Sequence, residues 1–145
     1  ARLYMIRSSR QSSRLARQSK GSESMSVLSE VYQGLKASSD VTALLAEGQK
    51  SLYHGWSKDA GSYPVLIYGI ASDVPHITAD NREISHFVTM RIHIVTRNGA
   101  FTKLFHAVNA VMVNLGYMRK MCNEVNDDDL RIMVCDYTIS EKVEE

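Results

Sequence analysis

The sequence predicts an α+β fold: a mostly antiparallel four- to five-stranded sheet with two main helices packed on one face. Three observations predict it. Apolar residues recur at three- and four-residue spacing over 27–35 and again over 101–115, the mark of two amphipathic helices. Residues 84–97 alternate between an apolar set and a mixed set, the period of a strand with two unlike faces. Residues 117–139 hold two β-rich segments around Asn126-Asp127-Asp128-Asp129, which reads as a hairpin about an acidic turn.

A chain of 145 residues, 44% apolar and 23% charged, has the matter for one core and needs no metal or disulfide to fold. No apolar run approaches the roughly 20 residues of a membrane-spanning helix, so no membrane partner is expected. The formal net charge of +1 hides an asymmetry. Residues 1–24 carry six basic residues, seven serines and one acid, a net +5. Residues 25–145 carry 11 basic and 15 acidic residues, a net −4. The expected organisation is a basic Ser/Arg-rich leader over 1–24 and a single α+β domain over 25–145. The leader has too little apolar surface to offset the entropy of ordering and is expected to be disordered in isolation. Three readings of it stand: an upstream-translated artefact before a start at Met25, a basic arm for nucleic acid or an acidic partner, and a targeting segment.

The elements follow in order. Val27, Leu28, Val31, Tyr32 and Leu35 form the first helical stripe, with Ser26 as its expected cap. Ser38-Ser39-Asp40 breaks it, and a short second turn or helix is expected through Val41–Glu47, closed by Gly48. Residues 49–62 read as a loop. Tyr63–Ala71 is dense in β-branched and aromatic residues and reads as a strand covered on both sides. Residues 73–83 read as a connection with a short edge strand near His76–Thr78. Ile84–Arg97 is the clearest strand, with Val88, Met90, Ile92 and Ile94 facing the core and Phe87, Thr89, Arg91, His93 and Val95 opposite. Phe101, Leu104, Phe105, Val108, Met112 and Leu115 trace the second helix, which Gly116 stops. The expected core is Val31, Leu35, Ile67, Met90, Ile92, Leu104, Phe105, Val108 and Met133.

No catalytic motif is present: there is no phosphate-binding glycine loop, nucleophile elbow or H-E-x-x-H pair. No catalytic residue, metal ligand or cofactor is therefore expected, and the protein reads as a non-enzyme. Cys122 and Cys135 lack zinc-site spacing and read as small apolar residues on neighbouring strands, either as free thiols or as one disulfide. His86 and His93 are seven apart on one strand, so they point to opposite faces and cannot share a metal. Asp127, Asp128 and Asp129 read as a solvated turn before a cation site. Arg91 and His93, with Phe87 and Val95 beside them, read as a partner surface. The candidate subunit interface is thus Phe87, Arg91, His93, Val95, Asp127, Asp128 and Asp129.

From about Val41 to Leu115 the order of segments is a helix, the loop SLYHGWSKDAGS, and a Tyr-Pro strand, Tyr63-Pro64-Val65-Leu66-Ile67-Tyr68. A polar stretch, the long strand FVTMRIHIVTR and the helix AFTKLFHAVNAVMVNL follow, and a final pair of strands closes the domain. This pattern resembles the tail-terminator (tail-completion, minor tail) proteins of long-tailed bacteriophages and gene-transfer particles. The basic leader is no part of that family pattern, and Leu52–Trp56 matches its loop loosely. The resemblance implies a structural virion protein at the head–tail interface, assembled in the host cytoplasm. It implies a homohexameric ring that caps the tail tube, joins it to the head-completion or connector protein, and lets DNA pass. A head-completion or adaptor protein of the same particle is the alternative. Outside virion structure, two classes remain: a small nucleic-acid-binding module using the leader, and a ligand-binding or catalytic domain with Arg91 and His93 around a pocket.

Removing residues 1–24 is expected to leave folding intact. Thermal unfolding of the two lengths should give midpoints within about 5 °C, and a larger drop would mean that the leader packs on the domain.

Overall fold

In the computed structural model, which describes residues 23–55, 61–80 and 82–142, Val27, Val31 and Leu35 fall one turn apart on helix α1 (Glu23–Ala37) and are buried. Helix α2 (Ser39–Thr42), a 3-10 turn (Gly48–Ser51) and strand β1 (Leu52–His54) follow. Then come β2 (Val65–Ala79), β3 (Arg82–Thr96), helix α3 (Thr102–Asn114), β4 (Met118–Asp127) and β5 (Leu130–Lys142). The strands form one five-stranded sheet in the order β1-β2-β3-β5-β4. The short β1 runs parallel to β2, and every other pairing is antiparallel. The α+β architecture expected from the sequence is the one observed.

Both long helices feed one core. Val27, Val31 and Leu35 of α1 and Leu104, Val108 and Met112 of α3 join Leu66, Tyr68, Val88, Met90, Ile92, Ile94, Cys135, Tyr137 and Ile139 of the sheet in a single buried cluster. The helices approach closely at Gly34, where a Cβ would lie 3.1 Å from Leu115 Cδ1 and 3.2 Å from Val111 Cγ1. Tyr137 is fully buried and donates its hydroxyl to Asn109 Oδ1 at 3.1 Å, tying β5 to α3. Helix α3 ends as its glycine requires. Gly116, at φ +102°, donates to the Val113 carbonyl, and the Tyr117 N–H reaches back to that of Met112, both at 3.0 Å.

Several boundaries differ from expectation, each for a local reason. Helix α1 begins at Glu23, so the expected domain boundary after residue 24 falls within its first turn; residues 1–22 lie outside the described residues. The second helix is a single turn, capped by Ser38, whose Oγ accepts from the Val41 N–H at 3.3 Å. Gly48, at φ +59°, opens the 3-10 turn and does not close a longer helix. Strand β1 lies in the expected loop and is three residues long, too short to show a period. Strand β2 continues to Ala79 and takes in the expected edge strand and most of the expected connection, while β3 takes Arg82 and Glu83. Register shifts at 70–72 and 75–78 break the alternation of β2, which hid it in the sequence. Pro75 costs no ladder bond on its outer side, because β1 accompanies β2 only along Leu66–Tyr68.

The core assignment is right for Val31, Leu35, Met90, Ile92, Leu104 and Val108, while Phe105 and Met133 are only partly buried against that cluster. Ile67 belongs to a separate cluster on the opposite face, with Val65, Val95 and Ile132. Ile92 has no exposed surface at the centre of the main core. Ile92→Asp should therefore abolish folding, since an unpaired buried carboxylate costs several kcal/mol against a total of about 5–15. A soluble, cooperatively unfolding Ile92→Asp protein would contradict this assignment of the faces.

Candidate subunit interface

Strand alternation divides the sheet into a helix-covered face and a back face, on which no described helix lies. The register lays the back face out in rows. One row runs Val65, Val95, Ile132, Val125; the next runs Tyr53, Ile67, His93, Val134, Asn123. Then come Gly69, Arg91, Asp136, Met121, followed by Ser72, Thr89, Thr138, Met118 and finally Val74, Phe87, Ser140. Five of the exposed large apolar side chains among the described residues belong to these rows: Val74, Phe87, Met118, Met121 and Val125. So many on one sheet face make it the candidate interaction surface.

The centre of the face is an ion pair. Arg91 donates from Nε to Asp136 Oδ1 at 2.8 Å and from Nη2 to Oδ2 at 3.0 Å, a bidentate fork. Hydrogen bonding to Asp136 holds the guanidinium above its ordinary pKa. Asp136 is buried, whereas nearly half of the Arg91 side chain is exposed. Gly69, the neighbour of Arg91 on β2, leaves open space where a side chain would stand. In these rows Arg91 and Asp136 are the only permanently charged side chains among the described residues, and they neutralise each other.

His93 is half-buried one row away. Burial pushes its imidazole below the ordinary value, the Arg91 charge pushes the same way, and Asp136 opposes both. Val95 is buried in the small cluster of Val65, Ile67 and Ile132, edged by Tyr53, Tyr63, Leu130 and Val134. It therefore shapes the face from beneath. The acidic turn closes the β4–β5 hairpin at that end of the sheet, with Asp128 in the left-handed region at φ +55°. Asp129 pairs with Arg97, whose guanidinium lies 4.8 Å from the Tyr63 ring centre.

The structure thus brings Arg91 and His93 together and sets Phe87 roughly 27 Å along the strand from Val95. Asp127, Asp128 and Asp129 sit beyond the Val95 end. Sequence reasoning missed Asp136 and the exposed row ends Val74, Met118, Met121 and Val125. Asp136 stood in the polar phase of its strand, which was the one available signal. A cleft of about 430 Å³ is lined by Leu44, Pro64, Ala100, Thr102, Lys103 and Leu104, and neither Arg91 nor His93 reaches it. Among the described residues no three His, Cys, Asp or Glu side chains gather as a metal site. No described helix is long and apolar enough to cross a membrane.

No family model matches the chain, and no curated protein matches it. Among solved structures it is similar to a chain of the virion of a native gene transfer agent particle. The match covers 78% of this chain and 92% of that one, with a TM-score of 0.56 and 15% identity. The two chains share a fold.

The depressed pKa of His93 has a definite sign. The neutral imidazole is favoured in the folded chain, so its stabilisation is complete above the unfolded value near 6.5 and is lost as pH falls through the folded value. Stability should decline on acidification below about pH 6.5, and His93→Gln should flatten that decline. Denaturant titrations of both proteins at pH 7.5 and 5.5 check it, and equal pH dependence would contradict it.

Proposed function

We propose that the chain is a structural virion subunit, a tail terminator that closes into a six-membered ring, caps the tail tube and joins it to the head connector. The observation that carries this reading is the set of exposed apolar side chains around a neutral ion pair on one sheet face, on a fold shared with a component of a gene transfer agent virion. In the proposal the chain works without catalysis, and its partners are further copies of itself, the tail tube protein and the connector.

A face with exposed Phe87, Met118 and Met121 around a self-neutralised charge pair suits burial against protein. It offers no array of cations to a polyanion, as a nucleic-acid-binding face must. A closed ring needs heterologous contacts, in which two different patches of each subunit meet. The Phe87 end of the back face and the acidic turn of 127–129 beyond its Val95 end supply two such patches. Residues 25–145 carry a net −4, so DNA within the ring would slide past an acidic or neutral wall without being held by counterion release. A head-completion subunit is the competing reading, because the structural likeness is to a virion component and carries no position within the particle.

Electron microscopy of assembled particles carrying this protein should reveal a closed ring, with six copies, at the head-proximal end of the tail. Met118→Glu combined with Met121→Glu should leave the thermal midpoint nearly unchanged, because both sites are exposed, and should remove the protein from the particle. Normal incorporation of that variant would contradict the interface, and a strict monomer inside the particle would contradict the ring. Duplex DNA binding by residues 25–145 should be negligible at physiological salt.

A further inference from the structure

The hairpin of β4 and β5 carries the two cysteines of the chain directly opposite each other, as register partners on the helix-covered face. Their Sγ atoms are 2.9 Å apart, inside van der Waals contact and outside a covalent bond. Directly opposed residues of an antiparallel pair have Cα atoms about 4.5–5.5 Å apart, within the span a disulfide bridges. The two thiols differ in access. Cys122 is partly exposed on the outermost strand, and Cys135 is buried in the core.

We propose that Cys122 and Cys135 form a dithiol switch, oxidised by a small-molecule disulfide to a cross-strand bridge that clamps the edge strand β4 to β5. The step balances as thiol–disulfide exchange. The Cys122 thiolate attacks one sulfur of the small disulfide, forming a mixed disulfide and releasing one small thiolate. That thiolate takes the Cys135 proton. Cys135 then attacks Cys122 Sγ and releases the second small thiolate, which takes up the proton that Cys122 had given to solvent. Two protein thiols are oxidised, one small disulfide is reduced to two thiols, and no other reactant enters. Burial and the neighbouring Cys122 push the Cys135 thiol up, so Cys135 is unreactive until the mixed disulfide presents it with an adjacent sulfur.

The clamp acts at an edge of the sheet. Among the described residues strand β4 pairs with β5 alone, and all of its side chains except that of Cys122 are exposed. Its ladder is already interrupted by a register shift between Arg119 and Met121. This proposal rests on hairpin geometry and is independent of the ring reading, so either can fail alone.

The test exposes the full folded chain to oxidised glutathione and reads intact mass, free thiols and amide exchange. The expected product is a monomer about 2 Da lighter, with both thiols gone and β4 amides exchanging at least about tenfold more slowly. Cys135→Ser should stop at a glutathione adduct on Cys122, and Cys122→Ser should leave Cys135 unmodified in the folded chain. Two persisting thiols, a wild-type product that stays a glutathione adduct, or a disulfide between two chains would each overturn the proposal. So would an internal disulfide that leaves β4 exchange unchanged.

Discussion

The described helices cover one side of the sheet, and most of the described structure depends on that constraint. The apolar stripes of α1 and α3 both dock on the face to which Val88, Met90, Ile92 and Ile94 point. With the helices committed there, the other face has to solve its own burial problem. It does so in part with a cluster of four buried residues, Val65, Ile67, Val95 and Ile132. Around that cluster it leaves Phe87, Met118, Met121, Val125 and Val74 exposed. In the proposed assembly, that exposed set is what a neighbouring subunit would cover.

The Arg91–Asp136 fork fits the same account. An isolated exposed ion pair contributes about 0–1 kcal/mol, whereas removing one partner of a buried pair costs about 3–5. This pair lies between those limits, with its carboxylate buried and its guanidinium nearly half exposed. A protein partner laid over it would move it toward the buried limit without leaving either charge unmatched. The bidentate geometry also fixes β3 against β5 at the centre of the sheet, so the exposed row ends keep a defined spacing. Gly69 beside it presents no side chain to obstruct close approach.

Much of the fold was legible in the sequence because its key elements have clean periods. The alternation over Val88–Ile94 assigns the face of each residue, and the stripe over Val27–Leu35 assigns a helix, without knowledge of any neighbour. Gly116 marked the end of α3 because a left-handed position there demands it. What stayed hidden had no period to read. Strand β1 has three residues, and β2 lost its alternation to register shifts. The site was half legible. Phe87 and Val95 share one phase of β3 and look equivalent in sequence, yet one is exposed and the other buried, because only the Val95 end lies over the second cluster. Asp136 lies 45 residues from Arg91, and their pairing follows from the β3–β5 register, which no local signal specifies.

The most direct test of the central claim, that the back face is buried by protein in the assembled state, is hydroxyl-radical footprinting of the free chain and the assembled particle. The account predicts that Phe87, Met118 and Met121 react readily in the free chain and become protected on assembly. Comparable reactivity of those three side chains in both states would contradict it.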